Sequence, residues 1–99
     1  MKIEFLDIAQ LELDESFEYY EMQQLKLGYR FVYEVKNTID RISYFPSAWQ
    51  QITKNTRRCL VKTFPYGVIY QILDDTILIV AIANLHRKPN YWKDRIVDE

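Results

Sequence analysis

Seven consecutive apolar residues, Ile77, Leu78, Ile79, Val80, Ala81, Ile82 and Ala83, constrain this chain more than any other feature. In an extended strand successive side chains point to opposite faces, so a run that is apolar at every position needs cover on both sides. The run is far too short to cross a bilayer, which takes about 20 residues as a helix. We therefore read residues 76–85 as the central strand of a sheet. A second β-rich run, residues 66–73, precedes it. Asp74 and Asp75 between them predict a turn, because an aspartate side chain bonds its own backbone and tolerates unusual dihedrals. Residues 57–64 alternate in the manner of a third strand. Arg57, Cys59, Val61 and Thr63 share one side, and Arg58, Leu60, Lys62 and Phe64 share the other. Pro65, Tyr66 and Gly67 make the connection.

The first half of the chain reads differently. Residues 2–6 alternate weakly and predict a short opening strand. Asp7 stands at an N-cap position before a run rich in Leu, Glu, Gln and Met. Leu13, Phe17, Tyr20, Gln24 and Leu27 then step by three or four, predicting an amphipathic helix over residues 8–25 that Gly28 ends. A second helix over residues 28–44 carries Phe31, Val35, Thr38, Ile39 and Ile42 on one stripe, and Pro46 stops it. The short joint makes the two an antiparallel hairpin. Residues 47–55 have no period and read as a loop, with Trp49 as a lid on the core edge. After Asn90, a fair N-cap, the tail predicts about two turns of helix. The order is strand, two helices, three strands and a tail helix (β-α-α-β-β-β-α). The fold class is α+β, with the helical hairpin on one face of a small, mainly antiparallel sheet.

Composition narrows the function. A chain of 99 residues makes a single domain, residues 1–99, with one core. One cysteine and one histidine supply no disulfide and no zinc set, so no metal and no small-molecule cofactor is expected, and a reducing, cytoplasmic setting fits. The opening residues lack the apolar core of a signal peptide. Two glycines, Gly28 and Gly67, make no phosphate-cradling loop. The first-helix carboxylates read as a solvated face. Charge is uneven: residues 1–50 hold five Lys and Arg against nine Asp and Glu, while residues 51–99 hold eight against five. The near-neutral total argues against nonspecific nucleic-acid binding, which needs uncompensated cations, and suits a basic face aimed at an acidic partner.

One constellation remains. Arg57, Arg58 and Lys62 lie on one strand, and His86, Arg87, Lys88, Tyr91, Trp92 and Arg95 follow the end of another. Brought together, these cations and aromatics suit an acidic protein partner through Arg57, Arg58, Lys62, Arg87, Tyr91, Trp92 and Arg95. They also suit RNA, with phosphates on arginine, a base on Tyr91 or Trp92, and His86 moving a proton.

Ala9, Glu12, Leu13 and the Tyr19, Tyr20, Glu21 triplet, then Phe31, Val35 and Ile42, then Pro46, set an ordered pattern. RRCLVKTFPYG at residues 57–67 and LHRKPNYWKDR at residues 85–95 complete it. Across nearly its whole length the chain resembles the RelE/ParE toxin superfamily. The resemblance implies a bacterial type II toxin, of the kind that serves plasmid maintenance, held inactive by a cognate antitoxin. RelE-like members cut messenger RNA in the ribosomal A site. ParE-like members target DNA gyrase and are not nucleases. Arg58 and Arg87 match basic positions of the nucleases and Tyr91 approximates their terminal tyrosine, but Gly67 stands where they carry a transition-state arginine. An unreplaced loss of that kind costs about 3 kcal/mol of transition-state stabilisation. The sequence thus favours a ParE-like gyrase inhibitor without its own catalysis. The alternative is a ribosome-dependent RNase acting on mRNA, with catalytic His86, Tyr91, Arg58, Lys62 and Arg87. A further alternative is an inactive antitoxin-binding module. No membrane partner is expected.

Overall fold

The computed structural model describes residues 1–97. Along the chain run β1 (Lys2–Phe5), α1 (Asp7–Gln23), α2 (Leu27–Tyr44), β2 (Gln50–Thr53), β3 (Thr56–Leu60), β4 (Tyr66–Leu73) and β5 (Thr76–Asn84), followed by a single 3-10 turn at Lys93–Arg95. They make one sheet in the order β1-β5-β4-β3-β2. β1 pairs with β5 in parallel, and every other pairing is antiparallel. The apolar run is covered as expected: all seven residues from Ile77 to Ala83 are buried.

The two sides of β5 face different cover. Ile77, Ile79 and Ile82, with Tyr66, Val68 and Tyr70 of β4, pack on Ala9, Phe31, Val35 and Ile42 of the helices. Leu78, Val80, Ala81 and Ala83, with Ile69, pack on Trp92, Tyr91 and Ile96 of the C-terminal segment. Two neighbours, Val80 and Ala81, share that second face because the β4–β5 register shifts between Ile69 and Tyr70, leaving Val80 as an extra residue. The buried amide of Gln71 fastens the segment by donating to the Val97 carbonyl (2.8 Å) and accepting from its N–H (2.9 Å).

Several local expectations change. Residues 47–55 contain β2, which the pattern missed because a sheet-edge strand of this kind, Gln50–Thr53, carries no apolar alternation. β3 stops at Leu60, and Thr63 takes a positive φ of 64°, so Lys62 sits in a turn and not on a strand. Asp7 lies in the first turn of α1, where its charge suits the helix N-terminus, and Leu6 is the N-cap. Gly28 does not end α1. It lies in the first turn of α2, where a Cβ would come within 2.5 Å of the Phe17 carbonyl oxygen, and left-handed Lys26 (φ 77°) makes the break. Asn90 caps no two-turn helix: its φ is 60°, and the tail forms only the single 3-10 turn. The α2 stripe stands, with Phe31, Val35, Thr38 and Ile42 buried. α1 is less one-sided than expected, since Ile8, Leu11, Tyr19 and Met22 stay exposed. Trp49 does lie on the core edge, its indole N–H donating to the Arg41 carbonyl (3.4 Å).

Candidate functional site

Alternation along β3 decides which cations meet. Arg57 stands opposite Tyr70 and donates to the Trp49 carbonyl (2.8 Å), on the face that carries the helices. It lines a separate polar hollow with Lys54, Asn55 and Tyr70. Arg57 therefore does not join Arg58, whose side chain projects from the opposite face of the strand. Arg58 lies across Gly67: a Cβ at that glycine would stand 3.0 Å from both Cγ and Cδ of the arginine. The glycine is thus an opening that the arginine stem fills. Arg58 Nη2 donates to Gln50 Oε1 (2.9 Å), while its buried Nε has no partner among the described residues.

Beyond Gly67 the last strand ends and the chain turns back over this face. His86 N–H donates to Asn84 Oδ1 (2.9 Å), an aspartate-type turn that starts the reversal. The result is a cleft of about 110 Å³ whose floor is Ile69 and Ala83 and whose walls hold Arg58, Arg87, Lys88, Tyr91 and Trp92. Arg58 and Arg87 meet there, as the sequence led us to expect. Among the described residues no carboxylate lines the cleft. His86 does not face it. The imidazole lines a different groove, with Glu15, Ser16, Tyr19, Tyr20 and Tyr66. Lys62 lines none of these hollows and stays exposed.

A single carboxylate organises the tail. Glu12 of α1, its side chain only 11% exposed, accepts from Tyr91 Oη (2.6 Å), from Arg95 Nη1 (2.9 Å) and Nη2 (3.1 Å), and from the Ile82 N–H (3.1 Å). Arg87 Nη1 comes within 3.7 Å of it. The Tyr91 ring lies between two guanidinium groups, with Arg87 3.8 Å and Arg95 5.2 Å from its centroid. The cause is the end of β1. Leu6 N–H makes the last bond on that side, to the Ile79 carbonyl, and past it the β5 edge has no neighbouring strand among the described residues. Glu12 accepts from Ile82 and Arg95 donates to the Val80 carbonyl (3.2 Å), so side chains complete the ladder.

This arrangement reassigns four of the expected residues. Glu12 leaves the solvated face on which the first-helix carboxylates were placed. Its position was legible: Ala9, Glu12, Ser16 and Tyr20 are spaced as one helix face, and Ala9 is fully buried. Trp92 is a core residue, 3% exposed, and offers no stacking surface. Arg95, 14% exposed, is bound to Glu12 and leaves little of its side chain at the surface. Tyr91 has its phenol occupied. Burial and the Glu12 hydrogen bond and charge push its pKa well up, against the smaller pull of Arg87 and Arg95, so it stays protonated at neutral pH. The cations that line the open cleft are Arg58, Lys88 and Arg87, the last also stacked on Tyr91 and 3.7 Å from Glu12. They can hold a carboxylate or phosphate, and among the described residues no paired acid and base stands with them.

The fold has known relatives. A chain from the chromosomal ParDE toxin–antitoxin system of P. aeruginosa superposes with a TM-score of 0.63 at 13% identity, covering 87% of this chain and 97% of that one. The isolated E. coli RelE toxin gives 0.61 at 11% identity, covering 94% and 93%. No curated protein matches the chain. The family model described as the ParE toxin of the type II toxin–antitoxin system, parDE, matches residues 3–91. The chain belongs to the ParE toxin family. It is therefore the toxin of a type II toxin–antitoxin system with an antitoxin as partner, and its membership of the RelE/ParE superfamily agrees with the pattern in the sequence. Among the described residues this ParE-family chain has no helix long and apolar enough to cross a membrane.

Proposed function

We propose that this ParE-family toxin acts in the bacterial cytoplasm by binding and inhibiting DNA gyrase, with no catalysis of its own, and that its antitoxin silences it by covering the basic cleft. The observation that carries this reading is a cleft with cations but, among the described residues, no proton-transfer pair. Arg58, Arg87 and Lys88 line it, His86 lines another groove, the Tyr91 hydroxyl is engaged in the hydrogen bond it donates to Glu12, and Gly67 supplies no side chain. Such a wall binds acidic groups and does not by itself cut a phosphodiester, which needs a positioned acid and base. Arg58 and Arg87 are the residues that meet acidic side chains of the partner. Apolar contact at exposed Leu60 and Leu85 adds to the binding.

A supercoiling assay tests the target. Purified toxin blocks gyrase, and addition of the antitoxin restores supercoiling. In a translation extract, ribosome-bound message stays intact. Cleavage of message in the A site, lost in His86→Ala or Tyr91→Phe, would establish the RNase reading in its place. A chain that binds antitoxin yet blocks neither process would be an inactive binding module.

A further inference from the structure

The groove that holds His86 has the opposite character to the basic cleft. It is open, with a volume of about 480 Å³, and is lined by Glu15, Ser16, Tyr19, Tyr20, Tyr66 and His86 among others, with no lysine or arginine in its wall among the described residues. Tyr19 and Tyr20 meet edge to face at 5.3 Å, and Tyr20 and Tyr66 at 6.1 Å. Tyr66 donates to Ser16 Oγ (3.1 Å), which fixes that ring, while Tyr19 stays more than half exposed. Glu15 makes no ion pair among the described residues. The helix that presents it, α1, bears six carboxylates and no lysine or arginine. Tyrosine faces beside an uncommitted carboxylate attract a cation, through the ring quadrupole and through charge.

This groove is also continuous with the first site. It shares Glu15, Ser16, Tyr66 and Asn84 with a smaller hollow, and that hollow shares Asn84, Arg87 and Tyr91 with the basic cleft. One surface path therefore runs from an acidic, aromatic end to a cationic end around the close of β5. We propose that the acidic end seats a lysine or arginine side chain of the antitoxin, in a segment that continues toward Arg58 and Arg87. The proposal rests on the reading that the antitoxin covers the basic cleft, and it adds a second anchor of opposite charge. A segment that must satisfy both ends is selected by the order of its charges as well as by their sign.

The test uses N-acetyl-arginine amide as probe and N-acetyl-citrulline amide, its neutral isostere, as control, each titrated into the isotopically labelled chain by NMR. The arginine probe shifts the amides of Ser16, Tyr19, Tyr20, Tyr66 and Asn84 at about fivefold lower concentration than citrulline. Glu15→Gln, an exposed substitution, removes that preference, and Tyr19→Ala weakens binding of both probes. In the co-expressed complex with antitoxin the arginine probe moves none of these amides. Equal shifts with both probes, shifts scattered along α1, or a preference that survives Glu15→Gln would overturn the cation site. Undiminished shifts in the complex would overturn its assignment to the antitoxin. A negative supercoiling assay would dismiss the gyrase target and leave this titration standing, so the two readings fail separately.

Discussion

Arg95 belongs to the C-terminal segment and Arg58 lines the cleft that this segment helps to wall, yet their charges are put to different uses. Arg95 is closed in, bound twice to Glu12 and once to the Val80 carbonyl, and its charge serves the β5 edge. Arg58 rests on Gly67 and bonds neutral Gln50, and it shares a cleft with Arg87 and Lys88 that among the described residues holds no acid. Arg87 stands between the two sets, stacked on Tyr91 near Glu12 but 56% exposed. A count of basic residues cannot separate these roles; the partners of each cation can. The internal set should govern stability and the open set partner binding.

The largest effect is expected on the internal side. Glu12→Ala leaves Arg95 buried without its carboxylate and frees the Ile82 N–H, so the chain loses about 3–5 kcal/mol of stability, read from the urea midpoint. Arg58→Ala is the converse. It changes stability by no more than about 1 kcal/mol but weakens antitoxin binding about tenfold, measured by titration calorimetry. A stability loss as large as that of Glu12→Ala would erase the distinction between the sets.

A smaller effect tests the glycine. In Gly67→Ala the new Cβ meets the Arg58 stem at 3.0 Å, and the long side chain swings away. Partner affinity falls about threefold while the urea midpoint moves little, and a further Arg58→Ala change in that background then costs less than it does alone. The smallest effect at neutral pH concerns the core phenols. Burial raises Tyr20 and Tyr70 to about 12, above the usual value of 10.0. Each favours the fold while protonated, so its contribution is complete below pH about 10 and is lost as pH rises toward 12. Unfolding midpoints should be flat at neutral pH and fall across that alkaline window, while the tyrosinate absorbance rises.

How far the sequence carried depended on whether a residue's role was local. Burial of residues 77–83 on both faces followed from the unbroken apolar run, and the α2 stripe followed from its spacing. The opposite facing of Arg57 and Arg58 was equally legible from alternation, although the proposed patch had joined them. Roles fixed by distant partners were hidden. The helix face of Glu12 could be read from spacing, but its partners could not: β1 ends early and the tail returns 83 residues later with Arg95. Trp92 is buried because the second face of the sheet needs cover, which no local pattern announces. β2 pairs only with β3, at the sheet edge, and its glutamines carry no apolar signal.

The central claim is that the open cations bind the target and that no residue here performs chemistry on it. Gyrase supercoiling measured with Arg58→Glu/Arg87→Glu beside Tyr91→Phe, each checked for an intact fold, tests it most directly. The charge-reversed toxin should fail to inhibit gyrase, while Tyr91→Phe should inhibit it as the unmodified toxin does. Full inhibition by the charge-reversed protein, or loss of toxicity in a folded Tyr91→Phe, would contradict the account.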